Sequence, residues 1–122
     1  MRRPRKRFPT SVYRHGTEPD ARFSLANERT FLAWIRTSLA LLAGGVALEA
    51  LSLGMHPSLR LGASSVLILS GIATAVHAWA VWKRHERALR LNTPLPSPAM
   101  ALPIMIAVAT VGLLVLLGVF FR

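Results

Sequence analysis

Asparagine, glutamate and arginine crowd into one short stretch of this chain. Residues 24–36 read Ser-Leu-Ala-Asn-Glu-Arg-Thr-Phe-Leu-Ala-Trp-Ile-Arg, so Asn27, Glu28, Arg29 and Arg36 stand where the chain turns strongly apolar. Arg22, Arg29 and Arg36 recur at every seventh position, close to two helical turns, and therefore share a stripe. Cations on such a stripe can hold an anion such as phosphate, or they can rest on anionic headgroups with no other function. Glu28 falls about a quarter turn from the stripe and can meet Arg87 or Arg90. Glu49 follows Arg36 at a helical rise of about 20 Å, too far for a pair within one helix. His77 stands inside an apolar run. Bonding a neighbouring helix is its simplest use, and handling a proton or ligand is the sharper one.

Other chemistries find no residues. There is no glycine-rich phosphate loop and no histidine pair at metal-ligand spacing. Glu28, Glu49 and Glu86 fall on different elements and suggest no general acid and base, and Ser38 lies near Arg36 without a base. With no cysteine, thiolate chemistry and disulfides are excluded. No metal, no cofactor and no enzyme activity are expected.

The elements that must position these residues are membrane helices. Residues 61–82 and 99–121 contain no Asp, Glu, Lys or Arg, and a bilayer core needs about 20 apolar residues of helix. A third stretch, 31–53, is flawed only by Arg36 and Glu49, each near enough to an interface to reach it. The expected fold is all-α: a polytopic membrane protein with three transmembrane helices, preceded by a short amphipathic interfacial helix. Residues 1–19 read as a disordered basic tail and residues 20–122 as the membrane domain. Asp20 is the expected N-cap of the interfacial helix, which gathers Phe23, Leu25, Ala26, Phe31 and Trp34 on one side before turning into the bilayer. Pro57 should start the second span, and Ser97-Pro98 the third. Pro103 predicts a bend or a local 3₁₀ adjustment early in the third span. Ala40 with Gly44, Ala43 with Ala47, and Gly71 with Ala75 give small-residue steps that let helices approach.

Charge sets the expected orientation. The chain is 52% hydrophobic and carries a formal net charge of +10, with a mean hydropathy of +0.43. Residues 1–36 hold nine Lys and Arg against three acids, and residues 83–97 hold four against one. The connection between the first two spans is neutral. Positive segments stay on the cytoplasmic side, so the N-terminus and the second connection are expected in the cytoplasm, with the C-terminus periplasmic or extracellular. The same rule explains the basic excess without invoking nucleic acid as a partner. Expected partners are the bilayer, anionic lipid headgroups, and a second copy or another membrane protein.

The run SLANERTFLAWIRTSLALLAGG, residues 24–45, resembles the signature of the YidH-like proteins, small bacterial inner-membrane proteins whose shared domain is of unknown function. The resemblance extends over about residues 18–121, from Asp20 ahead of Arg22-Phe23 to the last span, and leaves out the basic tail before Tyr13. It implies three spans and an inner-membrane location. The same domain type resembles the membrane part of the eukaryotic vacuolar transporter chaperone complex, which makes polyphosphate and moves it across a membrane. By that resemblance Arg29 and Arg36 would face phosphate, with Glu49 as an acidic partner at the outer end; apart from the resemblance, Asn27, Glu28 and His77 are candidates for polar support. Nothing in this chain matches a polymerase domain, so that role is not implied. Three functions remain open: a structural or accessory component acting through helix association, an oligomeric anion conduit or binding site for phosphate or polyphosphate, and capture of anionic lipid or nucleic acid by the basic tail.

Overall fold

The computed structural model describes residues 7–51, 53–95 and 101–121. Four helices follow in order: α1 (Thr10–Tyr13), α2 (Ala21–Ala50), α3 (Pro57–Leu91) and α4 (Ala101–Phe120). The fold is all-α. Three helices are long and apolar enough to cross a membrane, and a short helix outside the apolar segments precedes them.

Asp20 caps α2, its carboxylate accepting from the Arg22 N–H at 2.9 Å. The residues expected as an interfacial helix are the first turns of α2, which runs unbroken for 30 residues. No proline or glycine lies between Asp20 and Gly44 to interrupt it, and the short preceding helix sits further back, at Thr10–Tyr13. Pro57 opens α3 at its first turn, where its missing N–H costs nothing. α3 runs for 35 residues, about 52 Å. The charged segment after Trp82 therefore continues the helix straight beyond the bilayer core until Asn92 ends it in the left-handed conformation, φ 53°. α4 is described from Ala101, and Pro103 stands within continuous α-helix from there to Phe120. The Ser97-Pro98 cap lies outside the described residues.

α3 is the middle helix: α2 and α4 both pack on it, and no packing joins α2 to α4 among the described residues. Side chains buried between α2 and α3 are small. A Cβ on Gly71 would come within 2.7 Å of Leu42 and 3.0 Å of the Ser38 carbonyl, and one on Gly45 within 2.6 Å of Ile68. Ser38 Oγ donates to the Gly71 carbonyl at 2.6 Å. The seam uses Gly45 and Gly71; Ala40 and Ala43 face outward and exposed. At the other end of the bundle the His56 N–H donates to the Gly118 carbonyl at 2.9 Å, where Met55 packs on Gly118. Large apolar side chains such as Leu39, Val46, Leu69, Leu113 and Leu116 are exposed, as lipid-solvated helices require.

Residues 7–19, expected as disordered tail, fold back on α3. Val12 is only 2% exposed, and Phe8 stacks on Trp79 with centroids 6.2 Å apart. Residues 1–6 lie outside the described residues.

Candidate functional site

The charged end of the α2–α3 pair carries a buried polar network. Asn27 Nδ2 donates to the Trp82 carbonyl at 3.1 Å and to Glu86 Oε1 at 3.2 Å. Ser24 Oγ donates to Glu86 Oε2 at 3.2 Å. Asn27 is 7% exposed and Glu86 only 3%. Glu86 follows Trp82 by one helical turn and Asn27 follows Ser24 by nearly one, so both pairs point across the same seam. A buried carboxylate needs donors or a cation to offset lost hydration. Here two neutral donors serve, and among the described residues Glu86 forms no ion pair.

The tail closes over this network, and among the described residues its polar contacts with α3 converge on Arg90. Arg90 Nε donates to the His15 carbonyl at 2.8 Å, one terminal nitrogen to the Tyr13 carbonyl at 3.0 Å, and the other to Glu18 Oε1 at 3.2 Å. The Arg90 carbonyl accepts from the Thr17 N–H at 3.1 Å. Gly16 sits at φ +65°, and a Cβ there would overlap the Arg90 carbonyl, so this turn requires glycine. Glu18 also pairs with Arg7, and Arg7 and Arg90 both lie over the Tyr13 ring, 4.4 and 5.3 Å from its centroid. Arg7, Tyr13, Ser24, Leu25, Glu28, Trp82 and Glu86 enclose a cavity of about 170 Å³.

Electrostatics outside the membrane segment follow these contacts. The Arg22 side chain and N–H hold the Asp20 carboxyl below its usual range. Partial burial, then Arg87 and Arg14, push the His15 imidazole below its usual value.

The residues expected to bind anions stand elsewhere. Arg29 and Arg36 are exposed on the side of α2 opposite Asn27, and neither has an ion-pair partner among the described residues. Of the expected support, Asn27 joins the buried network and Glu28 lines its cavity, exposed. Glu28 forms no ion pair with Arg87 or Arg90 among the described residues; Asn27 and Ser24 are what reach α3. Glu49 lies at the other end, accepting from Ser64 Oγ at 3.0 Å and 3.7 Å from Arg60 Nε. His77 lines a cavity of about 240 Å³ between α3 and α4 with Ser70, Thr74 and Pro103, and its shielded Nε2 has no hydrogen-bond partner there. No group of His, Cys, Asp or Glu suited to a metal ion occurs among the described residues.

The sequence reading missed Glu86 and Arg90 as buried anchors. Both sit in a run of charges that reads as solvated. The available signal was the one-turn spacing of Trp82, Glu86 and Arg90, which continues the packed row Gly71, Thr74, Ala78 of the same helix.

Residues 22–88 match the family model described as a domain of unknown function, DUF202. The chain is 42% identical over 106 residues to the inner membrane protein YidH of Escherichia coli (strain K12), which spans 86% of this chain and 92% of that protein. It is 48% identical over 80 residues to an uncharacterized protein of Mycobacterium tuberculosis (strain ATCC 25618 / H37Rv), covering 65% of this chain and 66% of that one. No solved structure matches. With the signature inside the matched segment and three helices of spanning length around it, the chain belongs to the DUF202 family, as a multi-pass inner-membrane protein.

Proposed function

We propose that the protein is a non-catalytic structural or accessory component of the membrane, acting by association of its helices with a second copy or another membrane protein. One observation carries this reading: α2 packs on α3 alone and leaves a whole face open. Arg29, Arg36, Ala40, Ala43 and Ala47 line that face at helical spacing. Its outer half is small-residue surface, and in lipid helices associate by close packing of such residues. The chain has no cysteine, so a single Ala43→Cys variant reports directly on the face. Disulfide cross-linking between copies in membranes, lost on adding Ala40→Leu and Ala47→Leu, supports self-association. A monomer in mild detergent that neither cross-links nor co-purifies with a membrane protein removes the reading.

A second reading has its own support. Arg29 and Arg36 share the open face without an acidic partner among the described residues, and ionisable groups on spanning helices are functional candidates. On this reading several copies surround an anion path for phosphate or polyphosphate, because three helices are too few to enclose one. Phosphate flux into proteoliposomes, reduced by Arg29→Ala and Arg36→Ala, tests it. Flux that both variants leave unchanged removes the assignment.

A further inference from the structure

The charged half of α3 bears three cations that neither the Glu86 network nor the Arg90 anchor uses. Lys83, Arg84 and Arg87 stand at helical positions i, i+1 and i+4, one face of α3, with Ala80 one turn before them. The docked tail forms the opposite wall. Ser11 and Val12 of α1 with Ala80, Lys83, Arg84 and Arg87 enclose a groove of about 360 Å³. Val12 is buried, so this wall is fixed in place, and the small side chain of Ala80 leaves the floor open.

The charge in the groove is uncompensated. Among the described residues none of the three cations forms an ion pair. The nearest acid in sequence, Glu86, turns to α2 and bonds Ser24 and Asn27. Glu18, the acid of the tail, is taken by Arg7 and Arg90. Lys83 leans on the Trp79 ring, 6.0 Å from its centroid. The His15 imidazole is depressed first by desolvation and then by Arg87 and Arg14.

We propose that this groove is a phosphate-binding site completed by the docked tail, taking the phosphate of an anionic lipid headgroup or free inorganic phosphate. Guanidinium groups meet phosphate oxygens with paired, charge-assisted hydrogen bonds. Lys83 adds a point charge, and the Ser11 hydroxyl on the facing wall supplies a further donor. The site is separate from the α2 face that bears Arg29 and Arg36, and its tail wall lies outside residues 22–88, the segment that matches the family.

The test titrates inorganic phosphate by calorimetry into the full chain in phosphatidylcholine nanodiscs at low salt. In parallel, native mass spectrometry reads phosphatidylglycerol retained by the detergent-purified chain. Wild type is expected to hold one of the two probes: free phosphate alone marks a soluble ligand, phosphatidylglycerol alone a lipid one. Arg87→Gln should weaken the retained probe about tenfold, and Lys83→Gln with Arg84→Gln and Arg87→Gln should abolish it. Val12→Asp, which undocks the tail wall while leaving all three cations, should also weaken it. Arg22→Gln, on an exposed arginine that pairs with Asp20, should leave it unchanged. The proposal is overturned if wild type holds neither probe, if the triple variant binds as wild type, or if Val12→Asp has no effect. Binding lost from Arg29→Gln with Arg36→Gln but kept in the triple variant would also overturn it, by moving the site to α2.

Discussion

Arg90 shows how one side chain can order a segment that composition alone marks as disordered. Its guanidinium satisfies two backbone carbonyls and one carboxylate of the tail, each a charge-assisted bond. Arg90→Ala should release residues 7–19, seen as faster amide exchange there with little change across the α2–α3 seam. Arg90→Lys should restore docking only in part, since an ammonium lacks the fork that reaches three acceptors. The tail should also respond to pH. The His15 imidazole is depressed in the docked state, so the free tail binds the proton more readily. Docking is then complete above the free value of about 6.5 and weakens as pH falls below it. Protection of the residue 7–19 amides at pH 7.5 and pH 5.5, each taken relative to the intrinsic exchange rate at that pH, checks the sign, and lower protection at the higher pH would refute it. Of these residues, Asn27, expected as polar support for an anion, bonds Glu86 and the Trp82 carbonyl instead, and Glu28, expected to meet Arg87 or Arg90, stays exposed. Helical register decides between neighbours one position apart, and register is a property of the packed pair.

At the scale of elements the spans were legible because uncharged runs of bilayer length leave few alternatives. Their ends were less so. Asp20 and Pro57, both expected from sequence, start α2 and α3, but the left-handed Asn92 that ends α3 was not foreseen, and hydropathy is blind to it. Hence the expected surface helix proved to be the first turns of α2, and α3 outran its apolar segment by more than two turns. The small-residue steps were legible as a composition, but which steps form the seam was not. Gly71 and Gly45 touch α2 and α3 respectively, whereas a Cβ on Gly112 would meet nothing within 4 Å. Two substitutions separate these roles. Gly71→Val must push Leu42 and the Ser38 carbonyl apart, and should destabilise the helix pair by about 1–3 kcal/mol. Gly112→Ala should be neutral or slightly stabilising, because alanine favours helix over glycine. Thermal unfolding in one detergent, followed by circular dichroism, ranks the two. An equal loss for both would mean that α4 packs against something on its Gly112 side.

For the whole molecule, the arrangement of ends turns charge into topology. Asn27 meets Glu86 at one end of the bundle, and His56 meets Gly118 at the other. The tail and the start of the α3–α4 connection therefore share one end, while the α2–α3 connection and the end of α4 share the opposite one. Among the described residues, Arg7, Arg14, Arg22, Arg29, Arg36, Lys83, Arg84, Arg87 and Arg90 fall toward the first end, and the second end has Arg60 against Glu49. Carrying the first end across a membrane would transfer a dense positive cluster against the bias that fixes orientation. The N-terminus should therefore lie in the cytoplasm and the C-terminus outside it. A C-terminal alkaline phosphatase fusion should be active and a C-terminal green fluorescent protein fusion dark, while a cysteine placed at Thr10 should react with an impermeant maleimide only after the cells are opened. A bright C-terminal fluorescent fusion together with a Thr10 cysteine protected in intact cells would put both termini inside and the three-span count in error. Labelling of the Thr10 cysteine in intact cells would instead keep three spans but reverse them, and would place the basic groove of α3 and the tail on the outer face.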